Sequence, residues 1–310
     1  VAWIKQGLIF VPDGSLSWAR THASVPTVDV LSDRVWRIYY AARDAQNRCS
    51  ISYFDVEAGN PRHIIYRHEQ PILPLGKLGT FDDSGMMPSW IVMHQGVRYL
   101  YYTGWNVRQT VPYQNAIGLA VSRDGGQTFE RYDEGPVLGL TVHEPYFTGT
   151  ATVMIENGCW RNWYAVCTKW EMIDGRAEPF YHLKYAESQD GVSWDRRGIV
   201  AIDYKDEREA GIVRASVLKE DGVYKMWYAT RQGQDYREDK TQSYRIGYAE
   251  SADGIGWRRL DEQAGIDVSE NGWDSEMVEY PCVIALNGRK YLFYNGNGFG
   301  RSGIGYAVWE

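Results

Sequence analysis

HLKYAESQDGVSW at His182–Trp194 returns as RIGYAESADGIGW at Arg245–Trp257 and as AIGLAVSRDGGQTF at Ala116–Phe129. Each copy is a strand running to a Ser, then an Asp-Gly turn, then an aromatic. A degenerate copy, SISYFDVEAGNPRHI, covers Ser50–Ile64, and a truncated one, GIGYAVWE, covers Gly303–Glu310. The copies lie about sixty residues apart, a period of radial β architectures rather than of separate domains.

The residues ahead of each copy repeat as well. VWRIYYAARD (Val35–Asp44), VRYLYYTGWN (Val97–Asn106), CWRNWYAVCTKW (Cys159–Trp170), VYKMWYATRQ (Val223–Gln232) and RKYLFYNGNG (Arg289–Gly298) are one aromatic-rich strand written five times. Their apolar–polar alternation is that of half-buried strands. Before each comes a shorter apolar run, SVPTVDVL, MMPSWIVM, GTATVMI, IVRASVL and EYPCVIAL, and after each Asp-Gly turn a fourth strand begins. AWIKQGLIF (Ala2–Phe10) resembles the fourth-strand segment SWDRRGIVA (Ser193–Ala201), so the N-terminal strand is expected to complete the last unit and to remove open edges. The expected fold is all-β: residues 1–310 as a single five-bladed β-propeller of four-stranded antiparallel blades, the last blade closed by the N-terminal strand.

Composition fits that reading. Of 310 residues, 44% are hydrophobic and 14% aromatic, which suits pleated, packed surfaces. A net charge of −7 argues against bulk attraction to nucleic acid or an anionic membrane, and no apolar stretch is long enough to span a bilayer. Cys49, Cys159, Cys167 and Cys282 lack metal-ligand spacing and read as buried reduced thiols, which predicts a cytoplasmic address; a leader removed before Val1 stays open. No cofactor is expected, because no short ligand motif gathers the acids with His22 or His143.

The turn Ser122-Arg123-Asp124-Gly125-Gly126-Gln127-Thr128-Phe129 resembles the Asp-box of sialidases and related propellers. Its Asp is expected to accept backbone N–H groups, a structural role that suits its repetition. Function belongs where the repeats differ, at the mouths of the innermost strands around the axis. The segments leading into those strands are SWARTHASVP (Ser17–Pro26), TFDDSGMMP (Thr80–Pro88), HEPYFTGTA (His143–Ala151), DEREAGIVR (Asp206–Arg214) and WDSEMVEYP (Trp273–Pro281). They bring Arg20, His22, Asp82, Asp83, His143, Glu144, Glu207, Arg208, Glu209, Arg214, Asp274, Glu276 and Glu279 toward one funnel, and charges converging in a cleft point to function. Arg43, Trp105, Asn106, Lys169, Trp170, Arg231, Asn295 and Asn297 follow the repeated aromatic pair and form a rim, where Trp stacks on sugar rings and Asn or Arg binds hydroxyls. Ion pairing of the charges and packing of the Trp side chains between blades are the competing readings.

A five-bladed propeller with acidic inner strands resembles the glycoside hydrolase superfamily that includes the arabinanase/xylosidase (family 43), invertase/levansucrase (families 32 and 68) and mannoside phosphorylase (family 130) groups. The resemblance covers essentially the whole chain at the level of repeat and strand pattern. It implies a base, a modulator and a Glu acid in the funnel. Glu279-Tyr280-Pro281 resembles the Glu-x-Pro around the acid, while Asp82-Asp83 and Glu144-Pro145 stand for the others. Asp83 is the expected base, Glu276 or Glu279 the acid and Glu144 the modulator, with Asp82 and Asp274 as rivals. The first lead-in departs from the superfamily, since Arg20-Thr21-His22-Ala23-Ser24 carries no carboxylate.

The expected function is therefore carboxylate acid/base cleavage or transfer of a glycosyl unit. His22, Arg43, Asp82, Trp105, Asn106, His143, Lys169, Arg208, Arg214, Arg231, Asp274, Asn295 and Asn297 are the expected substrate-binding residues. The arginines point to an anionic sugar, a sugar phosphate or a nucleotide sugar as partner. A phosphorylase or glycosyltransferase, a non-catalytic sugar-binding propeller and a sialidase-like enzyme remain alternatives, the five units counting against the last.

Overall fold

The computed structural model describes residues 2–310. β1 (Trp3–Phe10) is followed by β2 (Thr21–Val30), β3 (Val35–Arg43), β4 (Cys49–Glu57) and β5 (Asn60–Arg67). β6 (Gly85–His94), β7 (Val97–Val107), β8 (Tyr113–Ser122) and β9 (Glu130–Arg131) come next, then β10 (Thr148–Glu156), β11 (Cys159–Ile173), β12 (Arg176–Ser188) and β13 (Asp195–Ile202). β14 (Glu209–Glu220), β15 (Val223–Gln232), β16 (Arg245–Ser251) and β17 (Arg258–Arg259) precede β18 (Glu279–Leu286), β19 (Arg289–Asn295) and β20 (Ile304–Trp309).

Within each unit the strands pair as antiparallel neighbours in chain order: β2 to β5, β6 to β9, β10 to β13 and β14 to β17. The final unit takes its outer strand from the other end of the chain, in the order β18-β19-β20-β1. Single parallel bridges, Cys49 to Gly85 and Tyr181 to Gly211, join neighbouring units. The first strands lie against one another in a circuit: β2 on β6, β6 on β10, β10 on β14, β14 on β18 and β18 on β2. This is an all-β, propeller-type arrangement.

Aromatics fill the layers between units. Trp36, Trp163, Trp227, Tyr39 and Tyr101 are fully buried. Polar tips of these rings reach the turn of the next unit: Tyr101 donates to Gly191 O at 2.7 Å and the Trp163 indole to Gly254 O at 2.8 Å. The turns are held by their own Ser and Asp. Asp190 Oδ1 accepts from the backbone N–H of Val192 and Ser193, and Ser188 Oγ from that of Gly191. Asp253 and Ser251 repeat these bonds with Ile255, Gly256 and Gly254. Such Asx bonding supplies acceptors that the tight turn otherwise lacks.

All five inner strands carry a register shift at the same level: between Ser24 and Thr27, Pro88 and Trp90, Thr148 and Ala151, Val213 and Ser216, and Glu279 and Cys282. A bulge re-aims the side chains beside it. Val25, Arg214 and Tyr280 sit at these shifts with φ of 54°, 56° and 53°, left-handed values that cost L-residues of order 1 kcal/mol or more each. Hydroxyls tie the bulges together: Ala151 N donates to Ser89 Oγ, Arg214 N to Thr150 Oγ1 and Val283 N to Ser216 Oγ.

Candidate active site on the axis

The bulges open into a central cavity. Its deeper part, about 60 Å³, is lined by Val25 of β2, Met87 of β6, Gly149 and Thr150 of β10, Val213 of β14 and Tyr280 of β18. Each inner strand thus contributes near its own register shift. The outer part, about 420 Å³, is lined by Ser24, Arg43, Asn47, Cys49, Met87, Trp105, Tyr113, Asn115, Tyr280 and Phe299. That volume suits a monosaccharide or a small conjugate. Trp105 reaches the cavity because Gly85 has no side chain: a Cβ there would lie 2.3 Å from the indole Nε1.

Glu279 directly precedes Tyr280, a residue of the cavity wall; it is itself wholly buried, one residue behind that lining. Asn295 Nδ2 donates to its Oε2 at 3.2 Å, while Oε1 has no partner among the described residues. The same Asn295 accepts from Val25 N–H at 3.0 Å, which orients the amide. Burial pushes the Glu279 carboxyl up to about 8; Asn295, the Arg231 guanidinium, the Tyr280 hydroxyl and the Arg43 guanidinium oppose that rise without cancelling it. Glu279 is therefore a neutral acid at pH 7.

The remaining charge in this region is positive. Arg43 lines the cavity and has no ion-pair partner among the described residues. His22 is pushed down to about 4, by burial first and then by Arg43 and Arg301, and is a neutral ring at pH 7. Arg231 is buried behind the wall, donating to Tyr181 OH at 3.0 Å and to Pro179 O and Gln232 O at 2.9 Å. Among the described residues, no carboxylate lines the cavity.

The other expected acids lie elsewhere. Glu144 is buried in an ion-pair cluster, with Lys184 at 3.1 Å, Arg196 at 3.0 Å and the Tyr164 hydroxyl at 3.0 Å. Asp82 is buried against Arg131 and Tyr102 OH, and Asp274 against Lys5 and Tyr294 OH. These three acids are engaged by their own units, so the modulator expected at Glu144 and the rivals Asp82 and Asp274 are not free for a ligand. Asp83 caps its own turn, accepting from Gly79 N–H and Ser84 OH. The Glu276 side chain is exposed, and the residue meets Asn297 through its backbone N–H.

Several expected binding residues also sit off the cavity. Arg214 is fully buried on the axis, where its guanidinium donates to main-chain oxygens of other inner strands. His143, Lys169 and Arg208 are exposed, with Lys169 paired to Glu171 and Arg208 to Asp206. Asn106 leans on Thr80 O at 3.4 Å, and Asn297 clasps the 272–277 loop. The structure brings Arg43, Trp105, Asn295 and Glu279 together, with His22 beside Arg43. Sequence reading missed Tyr113, Asn115 and Tyr280. The residue Tyr280 lay inside the quoted Glu-x-Pro, whereas Tyr113 and Asn115 begin β8, outside both sets of segments considered.

No family model matches the chain. It is similar over 310 residues, at 39% identity and 100% of both chains, to the uncharacterized proteins MT1551 and Rv1502 of two Mycobacterium tuberculosis strains, CDC 1551 / Oshkosh and ATCC 25618 / H37Rv. Among solved structures it resembles BT0996 in its RGII complex, with a TM-score of 0.74 and 18% identity over 100% of this protein and 92% of that one. It resembles a structure from the family 130 mannoside phosphorylases, a family that contains glycoside hydrolases targeting β-1,2 mannosidic linkages in Candida mannan. There the TM-score is 0.71 and the identity 15%, over 99% and 93% of the two chains. A thermostable family 43 glycoside hydrolase gives 0.66 and 16% over 95% and 91%. The fold is that of the propeller glycoside hydrolases, and by its full-length likeness the chain belongs to the family of the mycobacterial proteins MT1551 and Rv1502.

Proposed function

We propose that the chain is a five-bladed propeller enzyme that cleaves or transfers a glycosyl unit of an anionic sugar or sugar conjugate in the central cavity. The circuit of first strands and the pairing of β1 with β20 support the blade count. One observation carries the activity: a buried carboxyl, neutral at pH 7 and with one oxygen unpartnered, stands beside a sugar-sized cavity. Glu279 is the proton donor to the leaving oxygen. A raised carboxyl serves this task because it still holds its proton at the working pH. As the proton leaves, Arg231 and Arg43 stabilise the carboxylate that forms. Trp105 and Tyr113 offer apolar faces to the ring, Asn115 offers hydroxyl contacts, and Arg43 pairs with the anionic group.

Hydrolysis by two carboxylates needs a second, ionised one about 5–9.5 Å from the acid. Among the described residues none lines the cavity, which favours transfer to an acceptor that is itself anionic, such as phosphate, which needs no base. The same lone carboxyl supports the second reading, a sugar-binding propeller without turnover.

The test is to incubate the protein with uronic and sialic glycosides, sugar phosphates and nucleotide sugars, with and without phosphate, and to read products by mass spectrometry. Product formation that Glu279→Gln reduces by about 10²-fold or more, and that Arg43→Ala weakens mainly in KM, is the expected result. Saturable binding without product under every acceptor would leave the binding module. Turnover unchanged in Glu279→Gln would sink the assignment.

A further inference from the structure

One arrangement recurs outside the central cavity and is incomplete in a single unit. The second-strand tyrosines Tyr102, Tyr164, Tyr228 and Tyr294 each donate to a carboxylate, respectively of Asp82, Glu144, Asp261 and Asp274. Each carboxylate is paired with a cation from the fourth strand: Arg131, Arg196, Arg259 and Lys5. The first unit has the tyrosine, Tyr40, and the cation, Arg67, at the matching places. Where Glu144 bridges back to Thr141, Ala19 bridges back to Leu16. Among the described residues, no carboxylate stands between the pair.

The donors are left over. Tyr40 OH, Arg67 Nε and Arg67 Nη2 are buried with no hydrogen-bond partner among the described residues. Asp13 reaches only the third nitrogen, Nη1, at 3.6 Å, from a mostly exposed position where it also accepts from Ser15. Three buried donors without an acceptor are costly, and the other units show which group answers them.

We propose that Tyr40, Arg67 and Ala19 form a binding site for a small monocarboxylate of about formate size, which takes the place of the missing side-chain carboxylate. The missing group sets that size: a side-chain carboxylate at the Ala19 place is one carbon and two oxygens. Its surroundings are apolar, with the Phe10 and Trp18 rings packed on Tyr40 at centroid distances of 4.9 and 6.4 Å and the Arg67 guanidinium 5.2 Å from the Phe10 ring. The site also lies on a seam. Phe10 ends β1, the strand that belongs to the last unit, whereas Tyr40 and Arg67 belong to the first. A bound anion holds the two ends of the circuit together.

The experiment is a thermal-unfolding titration of the full chain with sodium formate, at constant ionic strength against a bulky sulfonate and without chloride. The wild type gains a saturable rise in Tm. At formate about 100 times its half-saturation value, the folding equilibrium shifts by a factor of about 100. Tyr40→Phe, which removes only the hydroxyl, loses saturation or moves it at least about tenfold higher. Ala19→Asp starts from a higher Tm and no longer responds. A wild-type response that never saturates, or one that Tyr40→Phe leaves unchanged, overturns the site. Tyr40→Phe decides the matter even where Ala19→Asp does not fold.

Discussion

Glu279 holds its proton at pH 7 because ionisation would place a charge with one unpartnered oxygen inside the protein. The consequence for stability has a definite sign. The carboxyl titrates near its ordinary value of 4.5 in the unfolded chain and near 8 in the folded one, so the folded state binds more protons between those values. Stability from this group is complete below pH 4.5 and is lost as pH rises toward 8. Glu279→Gln removes that dependence. Its unfolding free energy should match the wild type near pH 4 and exceed it increasingly up to pH 8, by roughly 4 kcal/mol at most. Calorimetry across that window checks it, and a difference independent of pH counts against the buried neutral carboxyl. The same group sets the activity profile: kcat/KM should fall above about pH 8 as the donor loses its proton.

At the scale of the element, what an acid near an inner strand does depends on whether its own unit captures it, as Arg259 and Thr230 capture Glu209 at the start of β14. Asp82, Glu144 and Asp274 precede their strands and turn back to a Tyr and a cation of their own unit, whereas Glu279 lies within β18 at the register shift. Removing Glu144 strands Lys184, Arg196 and the Tyr164 hydroxyl, so Glu144→Ala should cost about 3–5 kcal/mol in urea unfolding. Turnover per folded molecule should stay unchanged, and a selective loss of kcat in a fully folded variant would return Glu144 to the chemistry. The sequence displayed the repeat, the aromatic strands and the kinship of Ala2–Phe10 with a fourth strand, because periodicity survives without tertiary context. It did not display which funnel acids their own units capture. A one-residue bulge flips the face a side chain takes, and no local pattern in SVPTVDVL or EYPCVIAL announces it. The tyrosines that capture Asp82 and Glu144 lie twenty residues downstream, beyond the reach of spacing arguments.

For the whole molecule, the decisive residue is one that the funnel reading assigned to substrate. Arg214 rises from β14 into the centre of the circuit, fully buried and without a carboxylate partner among the described residues. Its guanidinium donates to Pro26 O at 2.9 Å and Thr27 Oγ1 at 3.1 Å in β2, to Ser89 O in β6 and to Pro281 O at 3.4 Å in β18. Its own N–H donates to Thr150 Oγ1 of β10, so this residue bonds every other inner strand. Burial lowers its pKa, and the converging carbonyl dipoles hold the cation where solvent does not. The Trp90 ring covers the guanidinium at 5.2 Å. A flexible Lys has one nitrogen and cannot match a planar fork aimed at three strands. Arg214→Met should therefore lose several charge-assisted bonds at once and leave the carbonyls unpaired, costing more than about 4 kcal/mol; Arg214→Lys should recover less than half of that. Urea unfolding of both variants, read against Arg231→Met as a buried arginine off the axis, measures it. An Arg214→Met variant within about 1 kcal/mol of the wild type would mean that the inner strands close without their pin.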